Sequence, residues 1–262
     1  MSPGLLERAK QGDRQALALL LKQISPLIHR FGLRMCQNQA DAEDVLQDTL
    51  ISVAEHLPAF EGRASLASWV FLLARTACAR RRRGLKNRPH LPEEAARGRP
   101  SEDMTPEEAA DQGELHTRLA RALGSISDEH REVLLLRDME GLTAAEVAES
   151  LSLNVAAVKS RLHRARTSLR AAWDDVLRSE GPLKNANCPN VVLALSKKLE
   201  GDLAAEDCAT MEKHIEACPV CNEACSALRA ALGACRREGN AEISPQLRAR
   251  IQALVDSLVA RR

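Results

Sequence analysis

Three Phe, two Trp and no Tyr in 262 residues leave this chain almost without aromatic packing material. Sheets draw heavily on aromatic and β-branched residues, whereas Ala, Leu, Arg and Glu, abundant here, favour helices. The core must therefore pack through Leu, Val and Ala, and the expected fold class is all-α. No uninterrupted apolar run approaches the ~20 residues needed to cross a bilayer. The first residues, MSPGLLERAK, lack a hydrophobic signal core. A soluble, cytoplasmic protein with no membrane contact is expected.

Composition divides the chain. Residues 15–85 carry an almost continuous helical pattern, broken around 57–62. Pro89, Pro92, Pro100 and Pro106 stand among charges and few large apolar groups, the composition of a linker. A second helical region follows, and Gly181-Pro182 interrupts the chain again. The resulting partition is 1–85, a linker at 86–112, 113–180, and a tail at 181–262. Within the tail, Leu247, Ile251, Leu254, Val255 and Leu258 recur at steps of three and four, predicting an amphipathic helix over Pro245–Ala260.

The formal charge of +1 averages over blocks of opposite sign. Asp41, Glu43, Asp44 and Asp48 share one short helix, with Val45, Leu46 and Leu50 on its apolar side. From Trp69 to Pro92 there is no acid, but seven bases occur: Arg75, Arg80, Arg81, Arg82, Arg83, Lys86 and Arg88. An acidic and a basic helix in one bundle suit two different partners, the basic one a phosphate backbone. Taken alone, both also read as ordinary solvated faces.

Further on, Thr143 is placed to cap a helix running through Glu149, and Asn154 to cap the next. Val147, Ala148, Leu151, Val155, Val158, Leu162, Ala165 and Leu169 have the spacing of two helices with a shared core. Lys159, Ser160, Arg161, His163, Arg164 and Arg166 take the other faces of the second helix, and no acid occurs from Ser150 to Trp173. A helix-turn-helix whose second helix enters a major groove fits this pattern. A plain basic helical hairpin is the bland alternative.

The stretches Leu142-Thr-Ala-Ala-Glu-Val-Ala148 and Val158-Lys-Ser-Arg-Leu-His-Arg-Ala-Arg166 resemble the DNA-reading domain, region 4, of extracytoplasmic-function (ECF) sigma factors. Asp41-Ala-Glu-Asp-Val-Leu-Gln-Asp48 resembles the polymerase-binding helix of their region 2. Phe60-Glu-Gly-Arg-Ala-Ser-Leu-Ala-Ser-Trp69, followed by Ala74-Arg75, resembles their promoter-melting segment. The resemblance spans about residues 5–178. It implies that Asp41, Glu43, Asp44, Gln47 and Asp48 meet core RNA polymerase. Phe60, Arg63, Ser65, Trp69, Arg75 and Arg80 would handle the single strand of the minus-ten promoter DNA. Lys159, Ser160, His163 and Arg164 would face the minus-thirty-five element. Thr76 stands where the family often has Asn, and Ser152 where a turn Gly is common.

Six of the eight cysteines crowd the tail, at positions 188, 208, 218, 221, 225 and 235. In a reducing compartment, such a cluster reads first as metal-binding or redox-active. His214 and Cys218 lie one helical turn apart, and the Cys218-Pro-Val-Cys221 turn returns a second thiolate to the same point. A fourth ligand, for which Cys188 is the first choice, would complete the tetrahedron that zinc prefers. The tail resembles the zinc-containing anti-sigma fold, including its Leu199-Glu-Gly-Asp-Leu203 stretch. It is similar in kind to the cysteine-rich tails of fused sigma factors that respond to copper, zinc or cadmium. Cys208, Cys225 and Cys235 exceed one tetrahedral site and would form a second soft-metal site or a redox pair, or Cys208 would pack with Met211 and Ile215. Cys36 and Cys78 fall in apolar patterns and read as core residues.

The expected architecture is a region 2 bundle, a linker, a region 4 helix-turn-helix and a small helical zinc tail that reaches its own sigma domains. The expected function is promoter-directed initiation by core polymerase under metal or redox control, with no chemistry by this chain. One rival is an autonomous, metal-responsive helix-turn-helix regulator, which leaves the acidic helix unexplained. A second makes the tail a purely structural zinc module. A third makes it a catalytic zinc or thiol oxidoreductase site, but four protein ligands leave no open coordination position.

Overall fold

The computed structural model describes residues 3–85, 106–175, 188–239 and 245–260, and no strand occurs among them. The helices are α1 (Pro3–Lys10), α2 (Arg14–Cys36), α3 (Gln39–His56), α4 (Leu66–Leu85), α5 (Pro106–Ser125), α6 (Asp128–Leu134), α7 (Ala144–Leu151), α8 (Val155–Asp175), α9 (Val191–Leu199), α10 (Ala205–Ala217), α11 (Pro219–Gly239) and α12 (Pro245–Ala260). The last has the bounds its apolar spacing predicts. Helix α5 starts at Pro106, so the end of the expected linker is helical; the rest of that linker lies outside the described residues. The chain folds as two compact units, one of residues 1–103, 149–152 and 241–262, the other of 104–148 and 153–240. Of the described tail helices, α9, α10 and α11 belong to the second unit and α12 to the first.

In the first unit, Asp13 starts α2 by accepting from the backbone N–H of Gln15 and Ala16 at 2.9 and 3.0 Å. Asn38 Oδ1 does the same for α3, accepting from Asp41 N at 2.7 Å. Helices α2 and α3 approach closely because Gly32 has no side chain: a Cβ there would lie 3.3 Å from the Ala42 Cα and carbonyl oxygen. Phe31 and Phe71 meet in the core with ring centroids 5.5 Å apart. Leu247, Ile251, Val255 and Leu258 are the buried face of α12, which packs on α2 and α3.

The second unit is built on α5, α6 and α8, with α9 and α11 packed against them. Thr143 and Glu146 cap α7 reciprocally: Thr143 N donates to the carboxylate at 2.9 Å, and Glu146 N donates to Thr143 Oγ1 at 3.2 Å. Asn154 caps α8, accepting from Ala157 N at 2.7 Å. Both caps fall where the sequence puts them. Val147, Ala148, Leu151, Val158, Leu162, Ala165 and Leu169 are buried, but Val155, expected among them, is 41% exposed. It begins α8, ahead of the buried stripe.

The turn between α7 and α8 carries a strained residue. Ser152 adopts φ 55°, left-handed backbone that a Cβ disfavours. Ser152→Gly should therefore raise unfolding free energy by about 1 kcal/mol, net of the flexibility glycine adds to the unfolded chain. Urea denaturation of the two proteins measures this shift.

Candidate nucleic-acid interface and metal centre

Of the four residues expected to read bases on α8, two are exposed and two are half-buried. Ser160 and Arg164 are exposed. Lys159 Nζ donates to Asp202 Oδ1, and His163 Nδ1 shares a 2.7 Å hydrogen bond with Ser196 Oγ. Burial, helped by the neighbouring Arg166 charge, holds the His163 pKa below its ordinary value. Both partners belong to the tail.

Arg166, expected on an open face of α8, is buried instead. Its Nε and Nη2 donate to the two Asp138 oxygens at 3.0 and 2.6 Å, a bidentate pair. Nη2 also reaches Glu200 Oε1 at 2.9 Å, and Nη1 reaches Ser196 Oγ at 3.0 Å. Glu200 accepts a second guanidinium through Oε2, from Arg137 Nε at 3.1 Å. The Arg166 and Glu200 side chains are each only 2% exposed. Burial works against the Arg166 charge, but the two carboxylates outweigh it and leave the pKa raised.

Local backbone explains how the tail supplies these groups. Glu200 ends α9, and Gly201 follows at φ 72°. Gly201 N donates to Lys198 O and Asp202 N to Lys197 O, at 3.1 and 2.9 Å. This glycine-closed helix end is a Schellman turn. It lets Glu200 and Asp202, two residues apart, engage Arg166 and Lys159 on α8.

In the first unit, Asp41 is buried, taking a hydrogen bond from Asn38 Nδ2 at 2.5 Å. It serves the start of α3. Glu43 makes a bidentate ion pair with Arg250 of α12. Burial raises the Glu43 carboxyl, and the bonds from Arg250 and Gln39 overcome this to leave it below its usual value. Asp44 pairs with Arg81 at 2.7 Å. Gln47 is exposed and Asp48 half-buried. Phe60 is buried against Trp69, with ring centroids 4.9 Å apart. Ser65 Oγ caps α4 by accepting from Ser68 N at 3.1 Å. Arg63 pairs with Glu61 in the exposed loop; Arg80 is exposed and Arg75 half-buried.

Cys188, His214, Cys218 and Cys221 place their four ligand atoms within 4.8 Å of one another. Cys188 Sγ lies 3.8 Å from Cys218 Sγ, and His214 Nε2 lies 3.2 Å from Cys221 Sγ. Zinc–sulfur bonds of about 2.3 Å at tetrahedral angles put sulfurs roughly 3.8 Å apart, so the spacing fits that ion. The backbone N–H of Cys221 holds the Cys218 pKa below its ordinary value. Burial and the neighbouring Cys188 and Cys218 push Cys221 up to about 12. Three thiols crowded this closely lose their protons together only when a cation sits among them. Cys208, Cys225 and Cys235 are not brought into this group. Cys225 and Cys235 are buried in α11, and burial raises the Cys225 thiol. Cys208 lies 3.6 Å from Glu212 on the outer side of α10.

Residues 20–88 match the Sigma-70 region 2 family, and residues 116–169 match the Sigma-70, region 4 family. The ECF RNA polymerase sigma factor SigM of Mycobacterium tuberculosis is 32% identical over 168 residues, 63% of this chain and 81% of that protein. The chain belongs to the ECF sigma factor family. SigE of Mycolicibacterium smegmatis, an ECF sigma factor, is 32% identical over 164 residues; the match spans 61% of this chain and 63% of the relative's length. The structure of CnrH in complex with the cytosolic domain of CnrY superposes with a TM-score of 0.50 at 26% identity. It covers 65% of this chain and 96% of CnrH.

Within this sigma factor, the region 2 match spans most of α2 through α4 and the region 4 match runs from the second half of α5 into α8, and no described helix is long and apolar enough to cross a membrane. Sequence reasoning missed Arg137, Asp138, Ser196 and Arg250 as contact residues. Their partners lie 28 to 207 positions away along the chain, beyond any local periodicity. Two outcomes follow from the geometry. Glu200→Ala leaves Arg166 and Arg137 short of a buried carboxylate and should cost about 3–5 kcal/mol in urea unfolding. His214→Ala removes one of four candidate ligands, so after zinc loading and dialysis against a mild chelator, elemental analysis should find about one zinc per parent chain and almost none in the variant.

Proposed function

We propose that this protein directs core RNA polymerase to a set of promoters, and that its own C-terminal helices, held by zinc, restrain it. The family assignment supports the first part. The second rests above all on α8, whose Lys159, His163 and Arg166 are engaged by Asp202, Ser196 and Glu200 of the tail. In region 2, Arg250 likewise occupies Glu43, a residue expected to face polymerase. CnrH was solved with a separate chain, the cytosolic domain of CnrY; here the covering helices are in the same chain. Tethering raises effective concentration to the order of millimolar, so weak contacts suffice to compete with DNA or polymerase.

In this reading, zinc held by Cys188, His214, Cys218 and Cys221 supplies structure rather than reactivity, since all four positions are filled by protein. Cys188 precedes α9, and His214, Cys218 and Cys221 join α10 to α11. The ion therefore ties the α9 entry to the other two tail helices and steadies the helix that presents Ser196, Glu200 and Asp202. A metal or oxidant that disturbs these ligands would loosen α9 from α8 and free the DNA-reading face. The control is then metal- or redox-dependent because the cover, not the reader, contains the site.

Run-off transcription with purified core polymerase tests this reading. Asp202→Lys and Arg250→Glu each break one covering ion pair on a partly exposed surface, worth about 0.5–1 kcal/mol. Each variant should raise transcript yield about two- to fivefold at limiting protein. Transcription equal to that of the parent from both variants, in zinc-loaded and chelator-treated samples alike, would remove the restraint from the account.

A further inference from the structure

Region 2 holds a pair of thiols that neither the zinc tail nor the promoter-reading surfaces use. Cys36 Sγ, at the C-terminal end of α2, lies 3.8 Å from Cys78 Sγ on α4. The two residues are 42 positions apart, so only the fold brings them together. Their surroundings differ. Cys78 is fully buried, whereas Cys36 is only half-buried. That asymmetry is what a thiol pair needs for stepwise oxidation, with one sulfur accessible to the oxidant and a second held in contact to resolve the product.

We propose that Cys36 and Cys78 form a peroxide-oxidisable dithiol within region 2. The oxidant class is hydrogen peroxide or a small hydroperoxide. The Cys36 thiolate attacks one peroxide oxygen, the O–O bond breaks, and hydroxide leaves, giving Cys36 sulfenic acid. The Cys78 thiol then displaces the sulfenic hydroxyl as water and forms the S–S bond. In sum, two thiols and one hydrogen peroxide give one disulfide and two waters. A disulfide needs its sulfurs about 2.05 Å apart, so they must close from their present contact. That closure pulls on the residue leading into α3. Asn38 Nδ2 donates to the Cys36 carbonyl at 3.4 Å, while Asn38 also caps α3 through Asp41. The cross-link therefore acts at the start of the helix that carries Glu43, Asp44 and Gln47. Its effect on polymerase affinity rests on the sigma-factor reading given above; formation of the disulfide does not.

The experiment treats full-length, zinc-loaded protein with hydrogen peroxide near one equivalent, blocks remaining thiols by alkylation, and maps peptides without reduction. The expected product is one linked pair joining the Cys36 and Cys78 peptides, lighter than the free peptides by two hydrogens and reversed by dithiothreitol. Cys78→Ser should leave Cys36 as a sulfenic acid that dimedone traps, and Cys36→Ser should leave Cys78 unoxidised at the same dose. Recovery of both alkylated thiols, or equal oxidation of Cys78 in the Cys36→Ser protein, overturns the site. Binding to core polymerase is measured on the same samples. A loss of affinity after cross-linking, restored by dithiothreitol and absent in Cys36→Ser, is expected. Unchanged affinity after complete cross-linking overturns the regulatory part, and failure of both the untreated protein and its Arg250→Glu variant to bind core overturns the sigma-factor reading instead.

Discussion

A guanidinium cannot be taken out of water without carboxylates to meet it, and Arg166 of α8 is almost completely enclosed. Asp138, from the turn after α6, supplies one carboxylate; Glu200, from the end of α9, supplies the other. The first is internal to region 4, and the second belongs to the tail. Glu200 is in turn buried and shared with Arg137. None of these charges is comfortable alone, so the tail's position on α8 is coupled to the interior of the DNA-binding domain rather than to a surface patch. Lys159–Asp202 and His163–Ser196 extend the same contact along one face of α8.

Cys188 of the candidate metal centre and this ion network lie at opposite ends of the same short helix. Cys188 sits before α9, whose start is capped by Asn190 accepting from Leu193 N at 3.1 Å. Glu200, Gly201 and Asp202 form its far end. Val191, Val192 and Leu195 bury the side between them. Disorder at the metal end would thus remove the support for the carboxylates at the other. Under the proposed restraint, ligand exchange or thiol oxidation at that end would act on α8 through this one helix.

Much of this was legible in the sequence because it is encoded locally. The caps at Thr143 and Asn154, the α12 spacing and the convergence of His214, Cys218 and Cys221 all depend on residues within a turn or two of one another. Cys188 was also within reach, as a cysteine just ahead of a helix that the Gly201 turn sends back. What escaped was set by packing between distant segments. Periodicity placed Arg166 on the polar side of α8, correctly for an isolated helix, but tail carboxylates turn that side inward. Phe60 and Asp41 carried motif positions that suggest outward roles, and the structure gives them neighbours in Trp69 and Asn38. The Cys36–Cys78 contact has no sequence signal at all.

The docking of the tail on α8 is most directly tested by the arginine Nε–H signals of the full-length, zinc-loaded protein in solution NMR. Arg166 Nε–H, donating to Asp138 inside the closed network, should be resolved and slow to exchange with water. Glu200→Gln should speed that exchange, as should removal of zinc by a chelator. If Arg166 Nε–H exchanges as fast as the exposed Arg164 in the zinc-loaded protein, the guanidinium is solvated, and the tail does not cover the DNA-reading helix in the way described.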